Sequence, residues 1–332
     1  MPEILESIRL LALARAIHFA ACLLAFGIVV FDRWIAAPAL HGGGMNTAIG
    51  WPRTTTRLLW FSLIVALLSG IAWLLLGAIQ MSGLPPNEAL QPEVLRVVVG
   101  ETHFGRLWEL RALLWLGAAA AILFRVAPGL RGIMTWIALL LTGALSASLA
   151  WTGHGQDGNR PEWHLLADAV HILIGGLWPA GLIPFTFLLL KLRRCAEPGK
   201  WVAIGRLTRR FSAASLVSVA FLAGTGVVNS LYMLDAPSDL VSNDYGKTLL
   251  AKIILFVFMV GLGALNLLRW KPRLSGEYDD RTPAAAKRLQ LNVAIEGTLS
   301  LVVLILVGFL GILMPPMGGA AHAHHHHHSV NE

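Results

Sequence analysis

The sequence predicts an all-α polytopic membrane protein, a bundle of eight transmembrane helices with both termini outside the cytoplasm. Three observations carry that reading. The 332 residues are 56% hydrophobic and 14% charged, with a mean hydropathy of +0.65, a composition that belongs to a bilayer. Apolar stretches long enough to cross ~30 Å of hydrocarbon recur from end to end. Lysine and arginine gather in alternate connections, which is the asymmetry that orients membrane helices.

The chain opens MPEILESIRLLALARAIHFAACLLAFGIVVFDRW. Glu3 and Glu6 offset Arg9, and the apolar run is too long for the core of a signal peptide, so 9–32 reads as a retained first helix. Seven further segments follow at 56–80, 106–125, 131–151, 163–190, 209–234, 246–269 and 289–313, each near the ~20 residues a crossing needs. Prolines and glycines at 85–86, 128–129 and 315–316 punctuate several ends. The connections are too short to hold a soluble domain. Residues 1–316 therefore read as one transmembrane domain and 317–332 as a His-rich periplasmic tail. That tail, AHAHHHHHSVNE, fits a native metal-capturing tract and an appended purification tag equally well.

Orientation follows from the loops. Segment 191–210 holds seven basic residues and 269–288 holds six, whereas 152–162 has only Arg160 and 235–245 has none. The odd-numbered connections are thus predicted inside and both termini outside. The formal charge of +7 resides in these short segments and not in a stripe or motif that would grip nucleic acid. No P-loop is present to couple ATP, and the reading is of a protein that is not an enzyme. Cys22 and Cys195 share no CxxC spacing, so neither a disulfide nor a thiolate metal site is expected.

This topology sorts the twelve histidines. His18, His103, His154, His164 and His171 fall toward the outer side, as do His322 and His324 to His328. Only His41 lies inside. His164, Asp168 and His171 are spaced by four and three, which places them on one helical face. Ionisable groups inside a membrane are costly unless paired, hydrated or holding something. The face is therefore read as a metal or proton site, with a hydrogen-bonded helix entry as the plainer alternative. His164 and His171 stand about 10.5 Å apart along the axis at ~1.5 Å per residue, so both cannot simply chelate one ion. Further ligands would come from other helices, with His18, His103 and His154 as candidates. Imidazole suits copper, zinc, nickel and iron alike, and Asp168 could instead orient a ligating histidine.

Six segments carry a resemblance to a known family: ARAIHFAACLLAFG, LTGALSASLAWTGHG, WHLLADAVHILIGGLWPAGLIP, RFSAASLVSVAFLAGTGVVNS, YGKTLLAKIILFVFMVGLGALNLLR and EGTLSLVVLILVGFLGILMPP. In this order, across about residues 10–316, they resemble the CopD family of bacterial inner-membrane copper resistance and homeostasis proteins. The resemblance implies eight helices, copper as Cu(I) or Cu(II), ion transport across the inner membrane, and a periplasmic copper carrier of the CopC kind as partner beside membrane lipid. It maps the family's membrane histidines onto His18, His164 and His171, with Asp168 in the same motif. The expected arrangement has His18 and His171 as direct ligands between the first and fifth helices, with His164 and His154 at an outer entry. The competing reading is a haem-binding electron-transfer protein in which His18 and His171 sandwich the haem.

Overall fold

The computed structural model describes residues 2–41, 44–127, 129–152, 161–275 and 278–316. Among them are eight helices long and apolar enough to span a bilayer. These are α1 (Ser7–Ala39), α2 (Trp51–Ser82), α3 (His103–Phe124), α4 (Arg131–Thr152), α5 (Glu162–Arg194), α6 (Lys200–Met233), α7 (Asp244–Leu274) and α8 (Thr282–Leu310). The all-α architecture and the number of spans match the sequence reading. The helices alternate in direction, so the start of α1, Thr152, Glu162, Met233, Asp244 and Leu310 share one end, called here the N-terminal end. The other end is strongly basic.

α1 is the central helix. Of its most apolar stretch 72% is buried, against 11% for α7, and it packs on α2, α4, α5 and α8. Small residues let these backbones meet closely, which is how helices gain dispersion contacts in a solvent as apolar as themselves. A Cβ on Gly27 would run into the Gly176 carbonyl, and one on Gly176 into the Phe26 ring. Gly308 of α8 lies against Ala12 and Ala16 of α1 in the same way.

Four spanning helices are irregular, and α4 closes in a tighter 3₁₀ turn at Ser148–Thr152. α5 breaks between Pro161–Leu177 and Leu182–Arg194. Pro179 lacks the amide that would continue the ladder, and the chain bridges the gap with an Ala180 N to Gly175 O bond of 3.1 Å. α1 and α7 each contain a wider π turn, at Asp32–Ala36 and Asn266–Trp270. At the basic end the Arg125 guanidinium meets Asp32 at 3.1 Å, and the Trp51 indole donates to the same carboxylate at 3.0 Å. Just before α8, Asp279 accepts from the Thr282 hydroxyl at 2.8 Å, which holds its carboxyl below the ordinary value.

The boundaries depart from the sequence reading in a systematic way. α6 and α8 begin at Lys200 and Thr282, well before 209 and 289. Hydropathy marks the edge of the hydrocarbon, and basic turns continue the helix beyond it while their side chains reach water. A short helix, Pro92–Glu101, was not anticipated; it packs against α3. Its Val97-Val98-Val99 run has poor helix propensity, and only burial of Val98 against the bundle fixes it.

Candidate functional site

A cavity of about 630 Å³ opens between α5, α6, α7 and α8 and reaches toward the N-terminal end. His164, Asp168 and His171 all line it, so the one-faced spacing read from the sequence is realised as a wall of this space. Lys252 of α7 and Arg15 of α1 line it as well, together with the thioethers of Met233 and Met259. A smaller cavity of about 390 Å³ lies at the basic end, lined by Asp32, Arg125, Arg131 and His41.

The α5 face is matched by α6 in antiparallel register. His171 Nδ1 lies 2.9 Å from the Thr225 hydroxyl, the Asn229 amide donates to Asp168 Oδ1 at 3.2 Å, and the His164 ring stacks on Tyr232 with centroids 4.7 Å apart. The step of four from His164 to Asp168 thus faces the step of three from Asn229 to Tyr232, and the step of three from Asp168 to His171 faces the step of four from Thr225 to Asn229. Packing against α6 keeps three polar side chains in place at a depth where free rotation would expose them to hydrocarbon.

The hydrogen bonds assign the His171 tautomer. Thr225 gives its own proton to the Phe221 carbonyl at 2.6 Å, so its oxygen must accept from His171 Nδ1–H. Nε2 is then the unprotonated nitrogen, and no hydrogen bond occupies it among the described residues. A ring whose far nitrogen is anchored this way is the form that binds metals.

His18 has different surroundings. It is 4% exposed and does not line the cavity. Its Nδ1 lies 2.9 Å from the Ala66 carbonyl, which can only accept, so the proton is on Nδ1. The Nε2 lone pair faces the Arg111 guanidinium, with Cys22 Sγ at 3.5 Å. Trp73 and Trp108 close around the ring at 5.6 and 5.4 Å. Arg111 is itself 2% exposed and donates to Ser148 at 2.6 Å. An ion can reach His18 Nε2 only if Arg111 withdraws.

The structure therefore brings together His164, Asp168 and His171, and places His18 in a separate pocket between α1, α2 and α3. The haem reading required His18 and His171 to face one space, and the two rings do not. His103 is exposed at the first turn of α3, and His154 and the histidine tail lie outside the described residues. Among the described residues no group of three or more His, Cys, Asp or Glu side chains converges as a metal cage. Sequence reasoning missed Thr225 and the roles of Arg111, Arg15 and Lys252. The polar face of Thr225, Asn229 and Tyr232, spaced by four and three like that of α5, is the signal that would have paired α6 with α5.

Comparison with known proteins points one way. Residues 3–160 match the family model described as copper resistance protein D-like, N-terminal domain, and residues 205–310 match copper resistance protein D. The chain is 30% identical over 316 residues to copper resistance protein D of Pseudomonas syringae pv. tomato, covering 92% of this chain and 97% of that protein. It is 27% identical over 312 residues to inner membrane protein YebZ of Escherichia coli (strain K12), covering 91% and 97%. Copper transport protein CutJ of Bacillus subtilis (strain 168) is 31% identical over 198 residues, 57% of this chain and 35% of that protein. No solved structure matches.

Proposed function

Since the chain belongs to the copper resistance protein D family, we propose that copper ions cross the membrane by way of the cavity walled by His164, Asp168 and His171. Membership makes it a multi-pass inner-membrane protein of copper resistance and transport, not an enzyme. The observation that carries the cavity reading is the free Nε2 of His171, held in that tautomer by Thr225 beside the Asp168 carboxylate. Copper is cargo here. It moves along successive ligands, because a closed cage would bind it too firmly to release. Met233 and Met259 add soft thioether donors that suit Cu(I).

In this reading the N-terminal end faces the periplasm, which the basic opposite end supports. His164 and His154, the outer pair expected from the sequence, serve as the entry there, where a separate periplasmic carrier of the CopC kind exchanges copper. His18 is a second station, with Cys22 beside it, that opens when Arg111 moves aside. Copper titration in detergent, on protein lacking residues 320–332, tests the assignment. His171→Ala removes the tight site, and Asp168→Asn weakens it by ~10–100-fold, the usual cost of losing a carboxylate that supports a ligand. Parent-like binding by both variants would remove the cavity from the pathway.

A further inference from the structure

The cavity holds more positive charge than its own side chains balance. Arg15 and Lys252 line it against the single carboxylate of Asp168. Among the described residues neither cation forms an ion pair. Arg15 is 8% exposed, lies over the Trp73 ring at 4.7 Å and donates one bond of 3.3 Å to the Thr152 carbonyl. Among the described residues its Nε has no hydrogen-bond partner, and neither does Asn229 Oδ1 on the opposite wall. Lys252 has the Asp168 carboxylate as its electrostatic partner, which leaves Arg15 without a counter-charge among the described residues. A cation kept in a membrane this way is costly, so a ligand that supplies one further negative charge is favoured at this point.

The shape of the cavity says where that ligand comes from. α6 packs against α5, and α7 packs against α8; α6 and α7 meet at the basic end, where Gly205 approaches the Leu274 carbonyl, and part toward the N-terminal end, where Asp244–Leu265 has no comparable contact with α6. Val227 and Leu231 on one side of the gap and Ile253 and Val257 on the other both line the cavity and face outward. The gap is therefore a side window onto lipid. Arg15, beside Thr152 and Gly311, marks the N-terminal end of the space. Trp178, Phe256 and Met259 mark its apolar inner end. A charged head at the membrane edge with an apolar body directed to mid-bilayer is the arrangement of a phospholipid in one leaflet. The volume of about 630 Å³ falls in the ~300–1,000 Å³ range of ligand sites.

We propose that an anionic phospholipid enters between α6 and α7 and seats its phosphate between Arg15 and Lys252. The binding does not depend on copper using the cavity. Its effect there is to complete, with Asp168, the neutralisation of the two cations, which would otherwise repel an incoming metal ion.

The test is lipid retention measured by native mass spectrometry on copper-free protein. Delipidated protein is given phosphatidylglycerol, phosphatidylethanolamine or ubiquinone in turn. Parent protein retains about one phosphatidylglycerol per chain in preference to the other two, since each Lys or Arg near a membrane surface favours anionic lipid measurably. Arg15→Gln and Lys252→Met each weaken retention about tenfold, the loss of one charge-assisted contact. Val227→Trp, which narrows the window and leaves the charges alone, also lowers it. Arg9→Gln, an exposed cation at the same end, leaves retention unchanged. Equal retention of phosphatidylethanolamine, preferential retention of ubiquinone, or parent-like retention in all three cavity variants would overturn the proposal. A failure of the copper titrations would leave it standing.

Discussion

Replacing Thr225 by valine removes one hydroxyl, keeps the side-chain shape, and isolates what that hydroxyl does for His171. The parent bond is 2.9 Å long, and the Thr225 proton is already committed to Phe221 O at 2.6 Å. Thr225 therefore holds the imidazole proton on Nδ1. A neutral bond of this kind contributes about 0.5–1.5 kcal/mol to stability, so the fold survives its loss. Copper affinity responds more strongly. Without an acceptor at Nδ1 the proton is free to move to Nε2, and that tautomer cannot ligate from the cavity side. Changes of this sort cost ~10–100-fold in metal affinity, or about 1.4–2.8 kcal/mol. The assay is Cu(I) competition against a chelator in detergent, with residues 320–332 removed. Thr225→Val loses ~10–100-fold, and Thr225→Ser, which keeps the acceptor, stays within a few-fold of the parent. Parent affinity in the valine variant, or equal losses in both, refutes the tautomer argument.

Reporter fusions at residues 200 and 240 report opposite sides of the membrane, with 200 cytoplasmic; both on one side would reject the orientation. Deleting residues 320–332 lowers weak copper capture and leaves one tighter site, measured by equilibrium dialysis; complete loss would put the site in the tail. Gly176→Leu drives a side chain into Phe26 and the α1 backbone, and overpacking of this kind costs about 1–3 kcal/mol. It lowers the detergent unfolding midpoint, whereas Gly175→Leu, where a Cβ would meet nothing within contact distance, leaves it near the parent.

The spans were legible because crossing hydrocarbon imposes length and apolarity on each segment separately. The Pro92–Glu101 helix was not, because a valine-rich run becomes helical only once Val98 is buried against α3. The face of His164, Asp168 and His171 could be read from its spacing, since all three lie on one helix. The position of His18 could not. Its neighbours Ala66, Trp73, Trp108 and Arg111 come from α2 and α3, and no local pattern records that α1 turns this ring away from α5. Arg111 lies near one end of α3, where a long cationic side chain can reach water, yet it is buried on His18 and Ser148. Tertiary packing decided both.

Copper flux through oriented proteoliposomes, parent beside His171→Ala, tests the central claim most directly. Both proteins are reconstituted at equal density with a copper-sensitive dye inside and residues 320–332 absent. The parent passes copper across the bilayer, and His171→Ala does not rise above protein-free vesicles. Equal flux through the two proteins would mean that copper does not travel by the cavity that His164, Asp168 and His171 line.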